Sequence, residues 1–316
     1  MADPDELYTL RNRFWLGNFQ AAIQEGNGLT RLSDDLKVER DEFVYRCYIG
    51  LGQCDLVARE IGDDAPPALR AVRELAKYVA DPAGTKDAVI EAFGGLLTDP
   101  SSKNVASVQL CAALVYEKED LMKEAFTAIR PQSTMEQLAL WAQLCLKINR
   151  PDLAEAHLAK LQKADEDATL TQLVSAWVNM TKGGEARCKE AAYAYEELID
   201  KFEPSLTLLN GLAVAKMHLR DFDEAEARLN EALAKSHSDA DTLINAVSCA
   251  AFQGKDQQII DRYLATLYSS HPNHPHVVKL KAKEAEFDEL AATYLKEVTN
   301  EEDLAKIAEF NAQLKK

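Results

Sequence analysis

The chain repeats itself. Residues 208–239, LLNGLAVAKMHLRDFDEAEARLNEALAKSHSD, and 242–272, TLINAVSCAAFQGKDQQIIDRYLATLYSSHP, share one plan. Each has about thirteen residues of helical apolar spacing, a short polar turn, and about fourteen more. Phe222, Ala225, Leu229 and Ala232 align with Asp256, Ile259, Tyr263 and Thr266 at an offset of 34 residues. A period of this length belongs to helix pairs that cannot bury an apolar face alone and do so by stacking on their neighbours. A length of 316 residues, more than one compact core usually serves, suits an elongated array.

The spacing resembles the tetratricopeptide repeat, in which small residues let paired helices approach and large ones fill the space between pairs. Leu209 and Leu212 stand at large positions, Ala213 at a small one, and Ala225 and Ala232 at second-helix contacts. Upstream, Leu138, Trp141, Ala142 and Cys145 pair with Ala154, Leu158 and Leu161, and Pro151 is placed to open the second helix. Leu170, Leu173 and Trp177 precede a Gly183-Gly184 turn, followed by Ala191, Tyr195 and Leu198. Weaker copies lie at 11–24, 41–61 and 108–129, and a pair at 67–97 is helical by composition without assignable positions.

No β-branched run or Pro/Gly/Ser linker interrupts the pattern. The expected fold is all-α: a right-handed superhelix of antiparallel helix pairs, a tetratricopeptide-like α-solenoid over 1–275. Polar C-terminal capping helices are expected over 276–316, in the same continuous domain.

Charge narrows the partners. There are 36 basic and 52 acidic residues, a net charge of −16, which repels phosphate backbones and anionic membrane surfaces. The N-terminus lacks a signal-peptide pattern and no apolar run spans a bilayer, so a cytoplasmic protein with no direct membrane insertion and no nucleic acid is expected. The six cysteines form no CxxC pair and read as reduced core residues.

The candidate chemistry reduces to helix punctuation. Asp165, Glu166 and Asp167 are three carboxylates in a row, but neighbours on one helix point about 100° apart and cannot share an ion. They read as a helix start, favoured by the N-terminal partial charge, with Thr169 and Gln172 at capping-box spacing. His271, His274 and His276 lack the further ligands of a zinc site and read as a turn. Gly254-Lys255 and Gly26-Asn27-Gly28 fail the phosphate-loop patterns, and no GxSxG or HExxH occurs. Neither a catalytic site nor a cofactor is expected. Most of Trp15, Trp141, Trp177, Tyr45, Tyr48, Tyr193 and Tyr195 fall at large repeat positions, and the set reads as packing.

A binding surface remains. With first helices lining the inner face, the register places Leu7, Arg11, Phe14, Glu42, Arg46, Ile49, Leu110, Leu114, Gln143, Leu146 and Asn210 there, with Thr171, Ser175, Val214 and Ile244. An apolar patch of this extent needs a partner to cover it. A co-chaperone that grips acidic tails needs Lys, Arg and Asn clustered on inner positions, and only Arg11, Arg46 and Asn210 qualify, repeats apart. A generic adaptor or co-chaperone is the alternative reading.

Several segments carry a more specific likeness. DEDATLTQLVSAWV (165–178), LLNGLAVAKM (208–217), ERDEFVYRCYIGLGQ (39–53), LRNRFWLGNFQAAI near the N-terminus and SHPNHPHVVKLKAKEAEFDEL near the C-terminus resemble the coatomer epsilon family of the COPI vesicle coat, in the same order. The resemblance implies a non-catalytic subunit of a heptameric coat. It further implies a grip on the C-terminal domain of the alpha subunit, contact with the other coatomer subunits, and a place on Golgi membranes and vesicles through the coat. Retrograde Golgi-to-ER and intra-Golgi transport would be the process served.

Overall fold

A computed structural model describes residues 5–297 and 301–314, and among them all regular structure is helical. The chain divides into two compact units, one ending at Lys235 and one beginning at Ser236. The first contains seven helix pairs. These are α1 (Tyr8–Trp15) with α2 (Phe19–Gly28), α3 (Asp34–Gly50) with α4 (Cys54–Glu60), and α5 (Pro67–Ala80) with α6 (Pro82–Thr98). Then come α7 (Ala106–Lys118) with α8 (Met122–Ala128) and α9 (Met135–Lys147) with α10 (Pro151–Ala164). The last two are α11 (Thr169–Lys182) with α12 (Glu185–Phe202) and α13 (Leu206–His218) with α14 (Phe222–Lys235). The second unit holds α15 (Ala240–Gln253), α16 (Gln257–Ser270), α17 (Pro275–Glu297) and α18 (Glu301–Leu314).

The turns inside the pairs show why the sequence breaks where it does. Gly17, Gly52, Asp120, Asn149, Arg220 and Gly254 each sit at positive φ between the two helices of a pair. In every case the next residue's N–H reaches back five residues to a carbonyl: Asn18 to Arg13 at 2.8 Å, Gln53 to Tyr48 at 2.9 Å, Leu121 to Tyr116 at 2.8 Å, Arg150 to Cys145 at 2.8 Å. Asp221 reaches Lys216 and Lys255 reaches Ala250, both at 3.0 Å. This closure satisfies the last carbonyls of the first helix and turns the chain back within three or four residues. The α5–α6 turn works otherwise: Asp81 accepts a hydrogen bond from Gly84 N at 3.0 Å, and Pro82 opens the helix.

The acidic triplet at 165–167 is punctuation of a different kind from the one expected. Asp165 caps the end of α10, and its Oδ1 accepts from Asp167 N at 3.0 Å. Thr169 is the first residue of α11 and Ala168 its N-cap without a side-chain bond, so the Thr169–Gln172 capping box does not form. Pro151, by contrast, does open α10.

Stacking follows the order of the pairs. From α1 through α11, each odd-numbered helix packs on the next odd one as well as on its own partner, so these helices form a wall. Gly211 marks one close crossing, where a Cβ would lie 2.4 Å from the Tyr195 ring. All six cysteines are buried and free. Trp141 stacks on His157, with centroids 5.3 Å apart and planes 8° from parallel. Tyr193 departs from the packing expectation and is exposed.

The first pair does something a repeat array does not require. Leu16 is fully buried among Leu173, Ala176, Leu208 and Leu212 of α11 and α13. Asn18 Nδ2 donates to Phe202 O at 3.3 Å, and Trp15 Nε1 donates to Glu136 Oε1 at 2.9 Å. Within the first unit, the N-terminal pair closes back on helices more than a hundred residues downstream.

In the second unit, Leu243, Ala246, Cys249, Ala250, Leu267 and Val277 are buried. The three histidines of the His-Pro segment serve the turns there. His271 Nε2 donates to Ser238 O at 2.5 Å, and His274 Nδ1 accepts from His276 N at 3.2 Å.

Candidate partner-binding surface

The wall of odd-numbered helices carries three adjoining cavities in the first unit. One, of about 490 Å3, is lined by Arg11, Trp15, Asp35, Glu39, Glu42, Phe43, Ser107, Leu110 and Glu136, among others. The next, about 250 Å3, shares Trp15, Leu110 and Glu136 with the first and adds Phe14, Arg46, Leu114, Leu140, Gln143, Leu173 and Trp177. The third, about 460 Å3, shares Leu114, Leu140, Gln143 and Trp177 and adds Leu144, Leu146, Glu117, Lys118 and Lys147. The three form one run from an acidic end to an apolar end.

Helical spacing puts these side chains there. Arg11 and Phe14 are three residues apart on α1, as are Gln143 and Leu146 on α9; Glu42 and Arg46 on α3, and Leu110 and Leu114 on α7, are four apart. Each pair therefore shares one helix face. Eight of the expected inner residues, Arg11, Phe14, Glu42, Arg46, Leu110, Leu114, Gln143 and Leu146, line the run.

Three expected residues do not. Leu7 is 0 % exposed, packed in a core with Leu10, Ala22 and Phe43, because the turn before α1 tucks it under α2 and α3. Ile49 packs half-buried on the core that contains Val57, Ala71 and Val72. Asn210 is buried, and its Nδ2 donates to Leu206 O one turn back at 2.9 Å. Thr171 is buried as well, its hydroxyl donating to Asp165 O at 2.8 Å.

At the junction of the first two cavities lies a buried ion cluster. Arg46 Nη1 donates to Glu42 Oε1 at 3.2 Å and to Glu136 Oε2 at 3.0 Å, and Nη2 donates to Glu136 Oε1 at 2.9 Å. The guanidinium also lies over the Phe14 ring, 4.4 Å from its centroid, and 5.2 Å from that of Phe43. Ser107 donates its hydroxyl to Glu42 Oε2. Burial opposes the charge on Arg46, but attraction and hydrogen bonds from Glu136 and attraction from Glu42 outweigh it and raise its pKa. Glu42 goes the other way. Burial pushes its pKa above the ordinary value despite Arg46 and Ser107, with Glu136 adding repulsion. One cation serves two carboxylates, and the more deeply buried carboxylate is the poorer served.

Sequence reasoning missed Glu136, Ser107, Trp15 and Trp177 as part of this surface. Trp15 carried a legible signal, since it shares α1 with Arg11 and Phe14. Glu136 carried none, because a Glu in the first turn of a helix is what capping alone would place there.

Comparisons with known proteins agree with this architecture. Among solved structures, the Cut9–Hcn1 hetero-tetramer of the APC/C superposes with a TM-score of 0.60 at 15% identity, covering 86% of this chain and 54% of that one. A tetratricopeptide repeat protein from Parabacteroides merdae gives 0.56 at 13% identity, covering 83% and 96%. At such identities the likeness shows the fold alone, a tetratricopeptide-type α-solenoid. Sequence relatives are more specific. The chain is 40% identical to coatomer subunit epsilon-1 of Arabidopsis thaliana over 91% of this chain and 97% of that protein. It is 34% identical to coatomer subunit epsilon of Caenorhabditis elegans, over 91% and 98%. The family model described as coatomer epsilon subunit matches residues 3–295. The chain belongs to the coatomer epsilon subunit family.

Proposed function

We propose that the chain binds the C-terminal domain of the coatomer alpha subunit along the run of cavities on its odd-helix wall, and through it supports retrograde Golgi-to-ER and intra-Golgi transport. As a family member it is a non-catalytic subunit of the COPI coat, associated with other coatomer subunits. Among the described residues no helix is long and apolar enough to cross a membrane. In this reading the chain works on the cytoplasmic side and meets Golgi membranes and vesicles indirectly, through the coat. The helices from Pro275 onward act as the chain's polar C-terminal cap.

The observation that carries the reading is the apolar end of the run. Leu114, Leu140, Leu144, Leu146 and Trp177 line it, with Glu117 and Lys147 at its margin. Apolar area removed from water contributes about 25 cal/mol per Å2, so a partner segment laid along three cavities gathers many modest gains into slow dissociation. The acidic end, where Asp35, Glu39, Glu42 and Glu136 outnumber Arg11 and Arg46, fixes the partner's direction by charge.

The test is capture of the alpha C-terminal domain by a Leu114→Asp/Leu146→Asp variant. Both side chains line the cleft and only part of each is buried, so helix content by circular dichroism is expected to hold while affinity falls at least about 100-fold. Undiminished capture would overturn the assignment of this face. Ile49 is a poor position for such a test because it lines none of the three cavities, and Phe14 because its ring supports the Arg46 guanidinium.

A further inference from the structure

A larger cavity, about 820 Å3, lies away from the odd-helix run and shares no lining residue with it. Its walls come from the end of α6 (Leu97), the α6–α7 loop (Lys103, Asn104), α7 (Gln109, Tyr116), α8 (Lys123, Glu124, Thr127, Ala128) and the following turn (Arg130, Pro131). In a chain of net charge −16 this groove reverses the sign, with three cations facing one carboxylate.

Those cations are uncommitted. Among the described residues, Lys103 Nζ, Lys123 Nζ and the Arg130 guanidinium make no ion pair or hydrogen bond within the chain. Other cations close to carboxylates are paired, as with Lys147 on Glu117 at 2.7 Å and Lys182 on Glu155 at 2.7 Å. The Tyr116 hydroxyl also makes no hydrogen bond among the described residues; the residue is buried but its hydroxyl is not, so it is open to the groove. Beneath them, Gln109 is fixed: its amide donates to Lys103 O at 2.7 Å and its carbonyl accepts from Gln137 at 2.7 Å. The Gln109 amide at the floor of the groove is thus satisfied, while the rim offers three unpaired cations against the single carboxylate of Glu124.

Spacing says what shape of anion fits. Lys123 and Thr127, four apart on α8, share one helix face, and Arg130 follows in the turn beyond the helix end, so the three form an elongated row along one wall. Lys103 faces that row from the loop. A single phosphate reaches one end of such a row, whereas a linear chain bearing several carboxylates reaches all of it. Leu97, Ala128, Pro131 and the Tyr116 ring leave apolar ground for a side chain between the acids. We propose that this groove binds an acidic, extended segment of a partner protein, a second docking site separate from the odd-helix wall.

The probe is a fluorescein-labelled peptide of about ten residues, mostly Glu with one Leu, long enough to cover ~30 Å when extended. Anisotropy with the full chain is expected to show binding that weakens as salt rises from about 50 to 200 mM. A Lys103→Glu/Lys123→Glu/Arg130→Glu variant is expected to lose at least about tenfold in affinity with its circular dichroism unchanged, and Tyr116→Phe to lose a few-fold. The Leu114→Asp/Leu146→Asp variant, altered on the other surface, is expected to bind the peptide normally, so failure of either site is read separately. Peptide binding unaffected by the triple reversal overturns the proposal. So does sedimentation with phosphatidylserine vesicles, lost in the triple variant, in a protein that ignores the peptide.

Discussion

At the scale of single residues, two buried groups set measurable behaviour. Among the described residues Arg46 is the one cation paired with Glu42 and Glu136, and removing it strands the buried Glu42 and leaves the half-buried Glu136 without a counter-charge. Arg46→Leu is expected to lower unfolding stability by about 3–5 kcal/mol in urea titration. Arg46→Lys is expected to recover only part of that, since an ammonium cannot make the forked contact to Glu136 or lie flat on Phe14. His157 is the second. Its Nδ1 donates to Leu153 O at 3.0 Å, while Nε2 is buried without a partner. Burial holds its pKa below the ordinary value of 6.5, outweighing the Leu153 carbonyl. The folded state therefore refuses a proton that the unfolded state accepts, and stability falls as pH drops through about 6.5. His157→Phe, which keeps the stack on Trp141, is expected to flatten melting temperature against pH between about 7 and 5. An unchanged slope would show that other groups govern that range.

At the scale of elements, the left-handed turn residue is the unit of construction. Gly17, Gly52 and Gly254 adopt positive φ without cost, and Asp120 and Asn149 are the side chains that tolerate it best. Arg220, at φ 62°, is the exception. Its Cβ crowds the following carbonyl at a cost of roughly 1–2 kcal/mol. Arg220→Gly is accordingly expected to raise stability by about 1 kcal/mol, read as an increase in the urea midpoint at constant m. Much of this was legible: alternating helices and polar turns fix the pairs, and face periodicity accounts for the eight expected residues that line the run of cavities. Leu7, Ile49 and Asn210 did not follow, because a periodicity tells which face a residue shares and not what stands opposite. The Thr169 capping box failed for a related reason. Asp165 ends α10 before it can start α11, and loop geometry decides between the two.

At the scale of the molecule, the first unit is bound by contacts that nearest-neighbour stacking does not supply. A simple array unfolds piecewise, each repeat answering only to its neighbours. Here Leu16 joins the first pair to α11 and α13, and Trp15 joins it to α9. Leu16→Ala is expected to cost about 2–5 kcal/mol, and the loss is expected to be felt by α11–α13 as well as by α1. Hydrogen exchange is the measurement: protection should fall on Leu173 and Leu212 together with Leu10. Loss confined to α1–α2 would mean that the array behaves as independent repeats. Nothing in the sequence marked this contact, since long-range closure leaves no trace in a 34-residue period.

The same closure orders events in time. Asn18 and Phe202 are 184 residues apart in the chain yet hydrogen-bonded in the fold. At roughly 5–20 residues per second, a ribosome needs about 10–40 s to make what lies between them. α1 thus leaves the ribosome well before α11 and α13, the helices that seat Leu16, have been made. During that interval Leu16 and Trp15 are exposed on a nascent chain whose middle repeats are already stacking.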